Sequence, residues 1–409
     1  MVYPADRIVE IREAAKLGIR AEIRDIDFKA IMERMRLHVQ KSRDLIQESL
    51  NKAEEFDFYS GEGQFTGDHE VEVNGTTIRG KTIFLVTGAR PLIPRLKGIE
   101  GIEYLTNESA LQLRERPDSM VIVGGGYIAA EFAHFFEAMG TNVTIIQRNP
   151  RLVTEEEPEI SDLLLRSLSR RMTVHTDTEA TEVRQTGKVV TVTARQQNSG
   201  KIIEVAAGSL LIAAGRRSNA DVLMVQNSGI KTDDRGYIVV DDFFETTKKD
   251  IWAFGDAIGR KMFRHAANHE AELVWHNAFH GKKSRMNYLT VPHAVFSYPE
   301  IASVGLTEGQ AIKLMGRQEV LVGKAGYADV ARGEAMMETE AFTKTVVHRK
   351  SGKILGYHII GPQASVLIQE VVNAMAADGN LWSVAKGMHI HPALSEVVLK
   401  AFGKLQEPK

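Results

Sequence analysis

A chain of 409 residues is long enough for two or three domains, and its 43% hydrophobic and 25% charged residues are ordinary for a soluble globular protein. The net charge of −2 supplies no basic surface for nucleic acid or an anionic membrane, and no apolar run reaches spanning length or forms a signal-peptide core, so the expected location is the cytoplasm. There is no cysteine, which excludes disulfides, thiolate metal sites and any thiol chemistry supplied by this chain.

Ile8, Ile11, Ala15 and Ile19 recur at helical intervals over residues 5–24. Asp27 is an expected N-cap for a longer helix with Ile31, Met35, Val39, Ile46 and Leu50 on its apolar stripe. From Phe56 to Gly88 the period changes to two. Val71 and Val73, the Asn74-Gly75 pair and Ile78 predict a hairpin. Ile83 to Val86 is a buried strand that ends in Thr87-Gly88, where backbone can approach a cofactor or simply leave the sheet. Pro117-Asp118 marks a boundary.

Val121-Ile122-Val123 then runs into Gly124-Gly125-Gly126-Tyr127, and Ala129, Ala130, Phe132, Ala133 and Phe136 continue at helical spacing. This is the strand–turn–helix that holds a dinucleotide pyrophosphate. Gly124 permits the turn, Gly126 admits the phosphates, and the small Ala129 lets helix and strand pack closely. A glycine turn without a ligand is the alternative. After the second strand, Val143 to Ile146, an NAD site usually carries a carboxylate for the ribose 2′-hydroxyl. Here Gln147 stands there, followed by Arg148 and Arg151, which favours NADPH over NADH unless both are plain surface arginines. Leu210 to Ala214 is another buried strand, ending in Gly215-Arg216.

Ile251 to Phe254 ends in Gly255-Asp256, a carboxylate placed to accept hydrogen bonds from a polyol or ribityl chain. His265, His269 and His276 lie on the next predicted helix; no third metal ligand completes the His265–His269 pair, and no metal is expected. Residues 290–409 read as a separate α+β domain. In it, His391 and Glu396 are five apart around Pro392, an acid–base pair in which the carboxylate orients the imidazole, or else a structural His-Pro turn.

Together the glycine turn with Tyr127 and Glu131, the Thr87-Gly88 and Gly255-Asp256 strand ends, the Val295–Gly305 stretch and the His391…Glu396 pair resemble the class I pyridine nucleotide–disulfide oxidoreductases. That family includes dihydrolipoyl dehydrogenase, glutathione reductase and mercuric reductase. Tyr127–His134, Ser218–Asp221, Ala267–Ala271 and Ile390–Leu394 look most like its mycothione reductase branch. The resemblance implies α/β plus α+β architecture: a Rossmann-like NAD(P) domain inserted in a partial FAD domain, then a C-terminal dimerisation domain. The boundaries expected are 1–117 and 241–289 for the FAD part, 118–240 for NAD(P) and 290–409 for the dimerisation domain.

It also implies that NAD(P)H binds at Gly124, Gly126 and Ala129 and displaces Tyr127 from the flavin. Hydride then passes to FAD, held through Thr87, Gly88, Gly255 and Asp256, and onward through a redox disulfide to a small disulfide substrate. His391, held by Glu396, serves a partner subunit's dithiol, so a homodimer is expected. The chain departs from the pattern in lacking the first FAD strand–turn–helix, both redox cysteines and the Lys that pairs with the position of Glu131. The expectation is an inactive, N-terminally truncated form. A non-catalytic nucleotide-binding or dimerisation protein and a thiol-free flavin diaphorase or oxidase stay open.

Overall fold

The computed structural model describes residues 1–408. They form two compact units. The first comprises Met1–Arg36, Ile93–Ala214 and the chain from Leu289; the second comprises Leu37–Leu92 and Gly215–Tyr288.

In the first unit, the strand Ser119–Val123 lies inside a four-stranded parallel sheet of order Ser209–Ile212, Ser119–Val123, Asn142–Ile146, Thr173–His175. Covered on both faces, its residues Met120 to Val123 are all buried, which is why the run is continuously apolar rather than alternating. A three-stranded antiparallel sheet, Thr178–Thr186, Val189–Gln196 and Ile202–Ala207, follows in the chain. From His293 a five-stranded antiparallel sheet forms, with the helix Ala364–Ala377 packed on it.

The helix Val2–Glu13 buries Ala5, Ile8 and Val9 in the same core as Phe135 and Phe136 of the helix Tyr127–Ala138, and the Phe28 and Phe135 rings lie 6.1 Å apart. Residues 1–36 pack with the parallel sheet of the first unit, because their apolar face finds the phenylalanines of that helix. The helix Phe28–Lys52 also departs from its predicted stripe. It buries Phe28 and Met32, while Val39 and Ile46 are exposed.

The second unit holds the predicted hairpin, Glu70–Val73 against Thr76–Arg79, with Asn74 and Gly75 both at positive φ as a tight hairpin turn requires. The strand Ile251–Ala253 pairs in parallel with Ile83–Leu85, and Arg216–Ser218 pairs antiparallel with Ala89–Pro91. Residues 215–240 belong to this unit: the strand pairing and the burial of Ala220, Leu223, Val225, Ile230 and Ile238 in its core hold them there. Phe84 stacks on Trp275, which meets Phe279, and Trp275 and Phe279 remain exposed.

A buried ionic cluster ties the start of the helix Pro158–Ser169 to the C-terminal sheet of the first unit. Lys344 Nζ lies 3.0 Å from Glu157, 2.7 Å from Glu308 and 3.4 Å from Glu159. Burial alone would lower the ammonium pKa, but the carboxylates outweigh it and raise it. Glu157 also accepts the backbone N–H of Glu308. Beside it, Glu156 accepts from Ser303 Oγ and pairs with His293, each at 2.5 Å. Removing one partner of such a cluster strands a buried charge. Lys344→Met is expected to cost about 3–5 kcal/mol in urea unfolding, and Lys344→Met with Glu157→Gln to recover part of it. A loss below about 1 kcal/mol for the single change would show that the cluster does not fasten the sheet.

Candidate functional site

The buried strand Ser119–Val123 delivers the chain to Gly124 at φ +128°, where an added Cβ would lie 2.1 Å from the Ala213 carbonyl oxygen. Only glycine fits. At Gly125 a Cβ would meet the Gln147 side chain at 2.6 Å. Gly126 has open space where a Cβ would stand, and it N-caps the helix Tyr127–Ala138 without a side-chain hydrogen bond. No side chain caps the start of that helix, and the empty face of Gly126 is a cradle that fits a pyrophosphate. Ala129 is fully buried. Gly125 was not singled out from the sequence; its constraint comes from a side chain twenty-two positions away, which no local pattern shows.

Gln147 is buried and its Nε2 donates to the Arg151 carbonyl at 3.1 Å. The two candidate arginines are not equivalent. Arg148 is exposed, whereas Arg151 Nε is 2.7 Å from Asp162. Glu131, one turn after Tyr127, accepts the Phe296 N–H at 3.0 Å. Burial raises its carboxyl pKa, against which that single N–H works.

In the second unit, Thr87 and Gly255 follow the C-terminal ends of the paired parallel strands Ile83–Leu85 and Ile251–Ala253, the end at which open α/β sheets take ligands. Thr87 Oγ1 is buried without a hydrogen-bond partner. Gly88 and Gly255 have positive φ, and so does Gly215. Asp256 is half-buried, its carboxyl pushed up by desolvation, and lies 3.5 Å from Arg216 Nε. That nitrogen is itself buried without an aligned acceptor, so the pair is close but not hydrogen-bonded. An orphaned hydroxyl and a carboxylate at paired strand ends fit a polyol such as the ribityl chain of FAD. The sequence reading missed Glu270. Fully buried on the helix Arg264–Phe279, it accepts Gly255 N–H at 2.7 Å and Tyr288 O–H at 2.6 Å, and so sets the turn that presents Asp256. A carboxylate on the inward face of a helix was the available signal.

His391 Nδ1 lies 2.9 Å from Glu396 Oε1, and the other carboxylate oxygen accepts Ala393 N–H at 3.0 Å. The imidazole is 71% exposed. The hydrogen bond from His391 lowers the Glu396 carboxyl pKa, with the Ala393 N–H adding to it. With Nδ1–H donated to a carboxylate, Nε2 is the nitrogen free to exchange a proton. His265 instead stacks on Phe263, and His269 lies 3.9 Å from Glu272.

Residues 5–271 match the family model "Pyridine nucleotide-disulphide oxidoreductase", and residues 291–402 match its dimerisation domain. The chain belongs to the pyridine nucleotide-disulphide oxidoreductase family. Its domains are the FAD/NAD(P) domains and the C-terminal dimerisation domain of that family. It is 34% identical to mycothione reductase of Mycobacterium tuberculosis over 412 residues, covering 98% of this chain and 88% of that protein. A dihydrolipoyl dehydrogenase of Synechocystis is 34% identical over 361 residues, covering 85% of this chain and 76% of that protein. Among solved structures, the HOCl-induced flavoprotein disulfide reductase of Escherichia coli superposes with a TM-score of 0.83 at 26% identity, covering 98% of this chain and 89% of that one. The family binds FAD and NAD(P). Among the described residues no helix is long and apolar enough to cross a membrane.

The glycine turn gives a paired prediction. Gly124→Ala forces a Cβ onto a carbonyl at positive φ and is expected to destabilise the protein by at least about 2 kcal/mol in thermal unfolding. Gly126→Ala meets open space at ordinary φ and should leave the melting temperature within a few degrees while weakening NADPH binding by roughly tenfold or more. Equal melting losses for the two, or unchanged NADPH titration by Gly126→Ala, would count against the cradle.

Proposed function

We propose that this chain carries the nucleotide-binding and acid–base machinery of an FAD-dependent NAD(P)H:disulfide oxidoreductase of the mycothione reductase or dihydrolipoyl dehydrogenase type. The observation that carries the reading is the exposed His391 imidazole held at Nδ1 by Glu396 within the dimerisation domain. Such a group suits proton exchange with a small thiol, and the dimerisation domain that carries it supports a homodimer as the working unit.

Gly124, Gly126 and Ala129 shape the pyrophosphate cradle, and the amides opening the Tyr127–Ala138 helix bind its charge. Tyr127, at the mouth of that helix, is the side chain that must move for a nicotinamide. Glu131 keeps a buried carboxyl one turn further on. Thr87, Gly88, Gly255 and Asp256 hold the polyol of FAD, and Gly215 ends the strand beside Arg216. When bound, the flavin supplies the two-electron step between nicotinamide and disulfide. His391 Nε2 holds the proton exchanged with the thiol, and Glu396 Oε1 fixes the tautomer and steadies the imidazolium. The substrate is a small disulfide. The 409 residues contain no cysteine, so the relay thiols of that chemistry are not among them.

Selectivity should favour NADPH. No carboxylate at 147 opposes a 2′-phosphate, and one charge-assisted contact contributes about 1.5–3 kcal/mol, roughly tenfold or more in affinity. Arg148 is the free donor, so Arg148→Ala should narrow the NADPH/NADH ratio more than Arg151→Ala, whose guanidinium already serves Asp162. Calorimetric titration with both nucleotides checks this, and a preference for NADH refutes it.

The reading as a whole is tested by supplying the purified chain with FAD and NADPH. It should bind NADPH and sediment as a dimer, yet turn over no disulfide. Disulfide reduction at enzymatic rates would overturn the thiol-relay assignment. Reduction of a dye without any disulfide turnover would identify a thiol-free diaphorase instead.

A further inference from the structure

The segment that carries His391 has little to hold it. Val384 and Leu394 are buried at its two ends, while between them Met388 is 101% and Ile390 77% exposed. Backbone hydrogen bonds reach Gly387 N–H, donated to Val384, and resume at Val397 N–H, donated to Leu394. One side chain between these anchors points inward. The His389 ring is 7% exposed. Its Nδ1 lies 3.0 Å from the Gly387 carbonyl, and its Nε2 lies 2.9 Å from Glu370 Oε1, out of line for a well-aligned hydrogen bond.

Glu370 stands on the helix Ala364–Ala377, whose Leu367, Ile368 and Val371 are set in the C-terminal core. The contact therefore fastens a loosely bonded loop to a rigid element. We propose that His389, through Glu370, is a positioning residue for His391: it pins the loop two residues upstream so that the His391 imidazole stays within reach of Glu396. Within one subunit that pin adds to the His391–Glu396 bond, and an exposed bond of that kind does little by itself to offset the entropy of ordering five residues. The inference rests on the reading of His391 as the acid–base group. It assigns His389 no contact with substrate or cofactor.

The test uses the 409-residue protein and reads the ring nitrogens of His391 by long-range nitrogen–proton NMR in mildly alkaline buffer, with His391→Ala to assign the signals. The wild-type ring is expected as the Nδ1–H tautomer, because Nδ1 donates to Glu396, whereas a free imidazole favours Nε2–H. Glu396→Ala should abolish that preference. His389→Ala and Glu370→Ala should each cut the Nδ1–H fraction by roughly half or more, and the double variant should do no more than either, since the pair acts as a unit. Glu370→Gln, which keeps an acceptor oxygen, should retain more of the fraction than Glu370→Ala. Glu370 is 35% exposed, so its removal leaves the core intact, and unchanged signals from buried His134 and His358 verify the fold. An unchanged His391 tautomer in both His389→Ala and Glu370→Ala overturns the positioning role. A wild-type ring that shows no Nδ1–H preference, or one indifferent to Glu396→Ala, overturns the acid–base reading instead.

Discussion

At Gly124 the first unit contains a place where no side chain can stand. Ladder bonds run right up to the turn: Gly124 N–H donates to Ile146 and Ala213 N–H to Val123, so strands on both sides press against it. The Ala213 carbonyl then occupies the volume of any Cβ. The chain can only turn sharply away, and the helix begins three residues later, at Tyr127, with no side-chain cap. An anion-binding terminus is thus a consequence of how tightly the parallel strands close on one another. Gln147 folds over Gly125 from the adjacent strand end, and Val153 N–H bonds the Gly125 carbonyl at 2.7 Å. The segment Gln147–Val153 is therefore braced by the same turn.

Features that rest on neighbours in sequence were readable in advance. Three β-branched residues before three glycines, Asn74-Gly75 between alternating valines, and a His and a Glu five apart each encode their geometry within a few positions. Features that rest on partners distant in sequence were not. The stripe of Val39 and Ile46 repeats at helical spacing whether or not anything covers it, and among the described residues nothing buries it. Ile8 and Val9 look like any amphipathic face until Phe135 and Phe136 are seen to receive them. The strand Arg216–Ser218 follows the parallel sheet in sequence yet pairs with Ala89–Pro91, a choice made by register and not by composition. Lys344 reads as one charge in an alternating strand; only Glu157, Glu159 and Glu308, far away in sequence, make it a buried cation.

Buried carboxylates in this protein differ in how completely they are compensated, and the differences track their roles. Glu157 has an ammonium and a backbone N–H. Glu270 has a phenol and a backbone N–H, and serves to hold a turn. Glu131 has a single backbone N–H and no ion pair, and burial raises its carboxyl pKa. A group left under-compensated beside a ligand cradle is the pattern that functional sites show more often than structural ones. Glu396 is the opposite case. Beside an exposed imidazole, its charge is stabilised by hydrogen bonds from His391 and Ala393 rather than by exclusion of water, so it can steady an imidazolium without becoming protonated itself.

The absence of a carboxylate at position 147 has a cause inside the protein as well as a consequence for the ligand. The Gln147 side chain lies against Gly125, and its Nε2 donates to the Arg151 carbonyl. A glutamate there would set two acceptors against each other in a buried site, where an unmade hydrogen bond costs about 1–3 kcal/mol and a charge more. The amide is therefore required by the loop that it closes, and that loop in turn holds Arg151, whose guanidinium is turned to Asp162. Arg148, by contrast, is an exposed guanidinium next to a position that carries no opposing carboxylate. A preference for NADPH built this way would depend more on a missing repulsion than on a strong attraction, and would weaken as ionic strength rises because the attracting charge is exposed to solvent.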